Sequence, residues 1–252
     1  AEVLRRASGD IFGRLESLDM QLSDLRGSLQ GQLKLAVESS AKYFVPHLFA
    51  AFKQQHPDVG LQLTVVNRAQ VIKRLTDNRD DLVIMSLMPT EVALEFLPFL
   101  NNPIVAVAPP EHPLCSATSL TLQDLTAYPL LIREQGSGTR KACEEYFQQK
   151  RAHFAQTVEI ASLDALREAA IAGLGVTLLP RHAASLELGH GLLRELPVEE
   201  LPLYRSWCVA HARGKRLTPV AQAFFAFIRD RRAQISALAT RFGGSAPRPA
   251  AQ

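Results

Sequence analysis

Two short segments carry most of the chemistry that this chain's residue types allow, Glu38-Ser39-Ser40-Ala41-Lys42 and Arg133-Glu134-Gln135-Gly136-Ser137-Gly138-Thr139-Arg140. Ser39-x-x-Lys42 has the spacing of a lysine-activated serine nucleophile. Its companion Ser-Asp-Asn and Lys-Thr-Gly motifs are absent, and no Gly-x-Ser-x-Gly elbow occurs, so acyl transfer is disfavoured. The second segment combines glycines that let backbone approach a ligand, hydroxyls from Ser137 and Thr139, and donors suited to carboxylate or phosphate from Arg133 and Arg140. It is not a Walker loop, because no Gly-Lys-Ser/Thr follows four residues after the first glycine.

Both segments read as helix starts, and Ser162, with Asp164 in the next turn, reads as a third. Free N–H groups beside a hydroxyl at a helix start seat an anion. For a serine taken alone, a plain N-cap is the commoner use. The repetition of the device, together with Asn67 and Arg68 after a second strand and Ser86 after a third, points to a small anionic ligand. The expected contact set is therefore Ser39, Ser40, Ala41, Asn67, Arg68, Ser86, Arg133, Gly136, Ser137, Gly138, Thr139, Arg140 and Ser162.

Other chemistries find no support. The seven histidines (47, 56, 112, 153, 182, 190 and 211) show no metal-ligand spacing with one another or with cysteine. Gly173-Leu174-Gly175 lacks the third glycine of a dinucleotide fingerprint and follows a helix. Asp80 and Asp81 stand at the start of a buried strand, where capping is the ordinary role. Neither a metal nor a cofactor is expected, and the chain does not read as an enzyme. Three widely spaced cysteines (115, 143 and 208) fit a reducing cytoplasm better than a disulfide framework. A net charge of +3 is too small to coat nucleic acid. No apolar run approaches the roughly 20 residues of a membrane span. The first residues have no signal-peptide pattern, and the chain opens in what reads as mid-helix, as a fragment would.

The elements that must position these loops alternate. Leu33, Leu35 and Val37 mark a strand, and a helix follows over 43–55, ended by Pro57. Then come a strand at Leu61–Val66, a helix over 69–78 and a buried strand at Leu82–Met85, with further strands near Glu95–Pro98 and Ile104–Ala108. After the turn cluster Pro109–Pro113 a second series begins: strand Leu130–Ile132, helix Thr139–Lys150, strand Thr157–Ile160, helix Leu163–Ala172 and strand Val176–Leu179. A strand over Tyr204–His211 leads to a long amphipathic helix, Thr218–Leu238, and the tail 239–252 has a disordered composition. Alternation of this kind makes an α/β fold of two Rossmann-like units. Two extended crossings, near Ala106–Pro109 and Cys208–Ala212, would join them into a clamp. The polar loops then sit beyond the carboxyl ends of the strands, where such sheets bind ligands.

The first 29 residues stand apart. Leu4, Ile11, Leu15, Leu18, Leu22, Leu25 and Leu29 recur at heptad steps, with one beat skipped at Ser8. Such a stripe either packs on its own domain or pairs with a second copy of the chain. Gly27 and Gly31 separate it from the first strand and favour pairing through Leu15, Leu18, Leu22 and Leu25.

Gly31-Gln-Leu-Lys-Leu-Ala-Val37, Phe52-x-x-x-x-Pro57, Ala108-Pro-Pro-Glu-His-Pro113, Arg133–Arg140 and Ala172-Gly-Leu-Gly-Val-Thr-Leu-Leu-Pro180 occur in the order and spacing of the LysR-type transcriptional regulators, which the chain resembles from residue 1 to about 235. Asp77–Met85, Pro98–Ile104 and the Arg-Glu-x-Gly-Ser-Gly-Thr-Arg run are most similar to the regulators of carbon-fixation (Calvin-cycle) operons, with Gln135 where that group has proline. The resemblance implies a linker and dimerisation helix at 1–30 and a periplasmic-binding-protein-like (type 2) sensor of two subdomains, 31–107 with 212–238 and 108–211. It also implies a preceding winged helix-turn-helix that contacts promoter DNA, and a homodimer that forms a tetramer at full length. The effector it implies is a phosphorylated metabolite such as ribulose 1,5-bisphosphate, phosphoglycolate or NADPH. The competing reading is a periplasmic-type solute receptor, which shares the clamp but would be exported, monomeric and without the heptad seam.

Overall fold

In the computed structural model, residues 29–235 are described. The heptad leucines Leu15, Leu18, Leu22 and Leu25, the tail 239–252 and the last residues of the expected C-terminal helix lie outside them.

Strand β1 (Gly31–Glu38) lies between two parallel neighbours, β2 (Val59–Val66) and β3 (Leu82–Met85), so it is buried on both faces. That is why Ala36 is as inaccessible as Leu35 and Val37, although the leucine spacing alone suggests one buried face. A 3-10 turn, Ser39–Tyr43, follows β1 before helix α1 (Val45–Gln55) begins with Pro46 in its first turn, where a missing N–H costs little. Helix α2 (Arg68–Thr76) opens on a reciprocal capping box between Asn67 and Gln70.

The expected strands at Glu95–Pro98 and Ile104–Ala108 are one continuous strand, β4 (Leu94–Ala108). Its antiparallel partner is β9 (Leu203–Ala212), which reaches β3 through Cys208–Ala210. Proline is tolerated at Pro98 and Pro103 because Leu94–Pro103 pairs only with β9, and the register shifts between Pro98 and Leu100.

The second half of β4 pairs antiparallel with β7 (Val176–Pro180) and the short β8 (Arg194–Glu195). Beyond β7 lie β5 (Leu130–Arg133) and β6 (Thr157–Ile160), all parallel, giving the order β2-β1-β3-β9-β4-β7-β5-β6. Between the two sheet halves only Leu100–Pro103 and Tyr204–Trp207 remain paired, as a bare two-stranded ribbon. The expected crossings at Ala106–Pro109 and Cys208–Ala212 lie a few residues past it. The sheet is mixed, because both connecting strands run antiparallel to their neighbours.

Helices α3 (Leu122–Leu125), α4 (Gly138–Lys150), α5 (Leu163–Ile171) and α6 (Ser185–Gly189) belong to the second series. Helix α7 (Pro219–Asp230) is capped by Thr218 and returns to the first, packing Val220, Phe224, Phe227 and Ile228 against Leu33, Phe52 and Trp207 in one apolar cluster. A second cluster fills the α2 side, and two more fill the opposite faces of β5 and β7. Four cores, one per face of each half, are what two α/β layers require.

Candidate effector-binding site

The carboxyl ends of β1, β3 and β5 converge on the first turn of α4. Ser39 Oγ accepts a hydrogen bond from Arg133 Nη2 at 3.1 Å, joining residues 94 positions apart across the gap between the two halves. Arg133 is only 3% exposed, and its Nε and Nη2 also grip the Glu134 carboxylate at 2.8 and 3.1 Å. Its third nitrogen, Nη1, is buried without a partner. A buried guanidinium with an unmet donor is a ready contact for an anion.

Beside it lies a group with no marker in the sequence. Glu38, 3% exposed, accepts hydrogen bonds from Ser86 Oγ at 3.0 Å and from the Ser86 backbone N–H at 3.3 Å. Burial pushes its carboxyl up to about 7, against the Ser86 hydrogen bonds and the positive charges of Arg68 and Arg133. Its Oε2 stands so close to Gly138 that a Cβ there would meet it at 2.8 Å. The start of α4 therefore faces a carboxyl group already.

Three further contacts hold the halves together. The Ala69 N–H donates to Gly136 O at 3.1 Å, an approach that requires glycine, since Gly136 has φ +85° and a Cβ would meet Ala69 Cβ at 3.0 Å. Asp164 in the first turn of α5 accepts from Lys42 Nζ at 2.5 Å and from Tyr43 Oη at 2.7 Å, and the Lys42 bond holds its carboxyl below the usual range. His182 Nε2 donates to Ser40 O at 2.9 Å; the ring sits against Phe44 and Trp207, and burial pulls its pKa down to about 4.

Of the expected set, Ser86, Arg133 and Gly138 are brought together around Glu38, with Ser39 bonded to Arg133 and Arg68 within electrostatic reach. Gly136 meets Ala69 beside Asn67, whereas Ser40 offers its carbonyl to His182 and Ala41 is packed in the apolar core. Other side chains of the expected set are engaged locally. Arg140 donates to Glu144, Glu159 and Arg133 O. Ser137 and Ser162 cap α4 and α5, accepting from Arg140 N and Ala165 N at 3.4 Å. Thr139, buried, lines a small cavity between β5 and α4 with Arg133 and Cys143. Sequence reasoning missed Glu38 and His182. A glutamate beside two serines at a strand end looks solvated, and no periodicity announces a partner 48 or 142 positions away.

Comparison with known proteins agrees with this architecture. The LysR substrate binding domain family matches residues 26–233. The chain is 37% identical over 222 residues to the HTH-type transcriptional activator CmpR of Synechocystis, covering 88% of this chain and 73% of that one. It is 39% identical over 221 residues to the regulator CbbR of Rhodospirillum rubrum, covering 87% and 72%. Among solved structures, the Synechocystis CcmR regulatory domain in complex with 2-PG superimposes with a TM-score of 0.77 at 35% identity, covering 80% of this chain and 97% of that one. The chain belongs to the LysR-type transcriptional regulators and is the effector-binding domain of one. Members of that family are regulators and not enzymes. Among the described residues, no helix is long and apolar enough to cross a membrane.

Proposed function

We propose that the gap between β1, β3, β5 and the head of α4 receives a small phosphorylated carboxylate. Its occupancy would be relayed through the linker helix to a winged helix-turn-helix on promoter DNA of carbon-fixation genes. The observation that carries this reading is Arg133, buried, with a free Nη1 beside the Ser39 hydroxyl and the N-terminus of α4. The complex of a 35%-identical domain with 2-PG supports the same ligand chemistry. The relatives CmpR and CbbR, both transcriptional regulators, favour this over a solute receptor. The partner exchange along β4 and β9 supports two subdomains, with the changeover at Leu100–Pro103 and Tyr204–Trp207, a few residues before the limits of a division into 31–107 with 212–238 and 108–211. The heptad seam supports a homodimer, and the kinship with DNA-binding transcriptional regulators supports a tetramer at full length and a place in the cytoplasm.

The test is thermal shift and calorimetry of the 252-residue chain with 2-phosphoglycolate, ribulose 1,5-bisphosphate and NADPH. One of them should raise the melting point with concentration. Ser39→Ala and Thr139→Ala should each weaken it by about 1–3 kcal/mol if each hydroxyl bonds to charge. Unchanged affinity in both variants would place the ligand elsewhere, and a strict monomer by light scattering would refute the dimer.

A further inference from the structure

The head of α4, where an anionic effector would sit, is faced by an acid that belongs to the protein. Glu38 Oε2 lies against Gly138, its two oxygens are held by Ser86, and the carboxyl is within the electrostatic reach of Arg68 and Arg133. An anion at the head of α4 would stand beside the buried Glu38 carboxyl. Like charges raise each other's proton affinity, and a buried carboxylate has little water to screen it.

We infer that Glu38 sets the charge state in which the site accepts its ligand: an anion enters only when the Glu38 carboxyl is protonated, so each binding event is coupled to one proton held at Glu38. This rests on the reading of the gap as the effector site. Glu38 is then a specificity-determining residue. As a neutral acid it offers an O–H donor to the ligand, and as a carboxylate it repels it.

The surroundings leave few other groups to account for such coupling. Facing Glu38 are Arg68 from the start of α2, Arg133 from the end of β5 and Cys208 from β9, while the contacts from β3 and α4 are the non-titrating Ser86 and Gly138. Guanidinium groups as a class do not titrate near neutrality. Burial moves the Cys208 thiol up to about 11, where it too is constant near neutrality.

With the carboxyl at about 7, the apparent dissociation constant carries the reciprocal of the protonated fraction. That factor is about 1 at pH 6, about 10 at pH 8 and about 100 at pH 9. Glu38→Gln removes the charge, keeps the shape and leaves an oxygen for Ser86. The experiment is calorimetric titration of 2-phosphoglycolate into the 252-residue wild type and into Glu38→Gln, each from pH 6 to 9. The ligand's own phosphate titration is common to both and cancels in the ratio. The expected result is equal affinity at pH 6 and a ratio that grows to about 10 at pH 8 in favour of Glu38→Gln. Parallel pH profiles would overturn the coupling and leave the effector reading standing. Weaker binding by Glu38→Gln at pH 8 would also overturn it, since the carboxylate would then be a favourable contact. Absence of binding to both proteins at every pH would remove the effector reading, and the inference with it.

Discussion

Gly138→Ala is the sharpest probe of how tightly the α4 head and Glu38 are fitted. An added methyl would stand 2.8 Å from Glu38 Oε2 and 3.2 Å from its Cδ and Oε1. Ordinary contact begins near 3.4 Å, so the carboxyl must retreat by about 0.6 Å. It is pinned by Ser86 Oγ at 3.0 Å and Ser86 N at 3.3 Å, and the retreat breaks or weakens both. Overpacking of this kind costs about 1–3 kcal/mol, and each strained hydrogen bond about 0.5–1.5. Against that, Gly to Ala at a compatible backbone position gains about 0.4–1 kcal/mol by restricting the unfolded chain. The net effect should be a loss of about 1–5 kcal/mol, or a fall in Tm of about 2–20 °C for a chain of this size. The same substitution in a Glu38→Ala background meets no carboxyl and should stabilise by about 0.4–1 kcal/mol. Urea unfolding of the four proteins measures both values as a double-mutant cycle. Equal effects of Gly138→Ala in the two backgrounds would refute the contact.

Two further perturbations test the scaffold around the site. Gly175→Ala places a Cβ 2.2 Å from the Pro129 carbonyl oxygen, which also accepts the Val176 N–H at 2.9 Å, so backbone must separate where β5 pairs with β7. A loss of about 2–4 kcal/mol is expected in urea unfolding, and a loss below about 1 kcal/mol would show the strands to be more yielding than drawn. His182 is half-buried and neutral, its ring packed against Phe44 and Trp207, with a pKa of about 4 against about 6.5 unfolded. The unfolded chain therefore takes up a proton that the folded one refuses, and stability is lost as pH falls from about 6.5 to 4, by an amount on the order of 3 kcal/mol. His182→Gln should flatten that limb of the stability curve, and an unchanged limb would assign the acid loss to other groups.

How much of this was legible in the sequence depended on whether the signal was local. Leu33, Leu35 and Val37 announce β1, the run Leu82–Met85 announces β3, and the glycine and hydroxyl pattern of 133–140 announces the α4 head, because each is written in neighbouring residues. Pro98 and Pro103 hid the length of β4, since only the pairing pattern reveals which stretch has a partner on one side alone. Arg140 looked like a ligand donor, and its carboxylate partner Glu159 lies on β6, beyond any helical period. Glu38 became a buried acid only through Ser86 and Gly138, contacts that exist when three strand ends meet.

The four-pair ribbon of Leu100–Pro103 with Tyr204–Trp207 determines what kind of movement the domain can make. Two hydrogen-bonded strands resist stretching and shear, yet a lone pair of strands twists more freely than a wide sheet. With Trp207 packed against Phe44 and His182 on one side, and the register shift between Pro98 and Leu100 beside it, any turning of the two halves would have to pass through the ribbon as through a torsion bar. A ligand in the gap would then be read as torque.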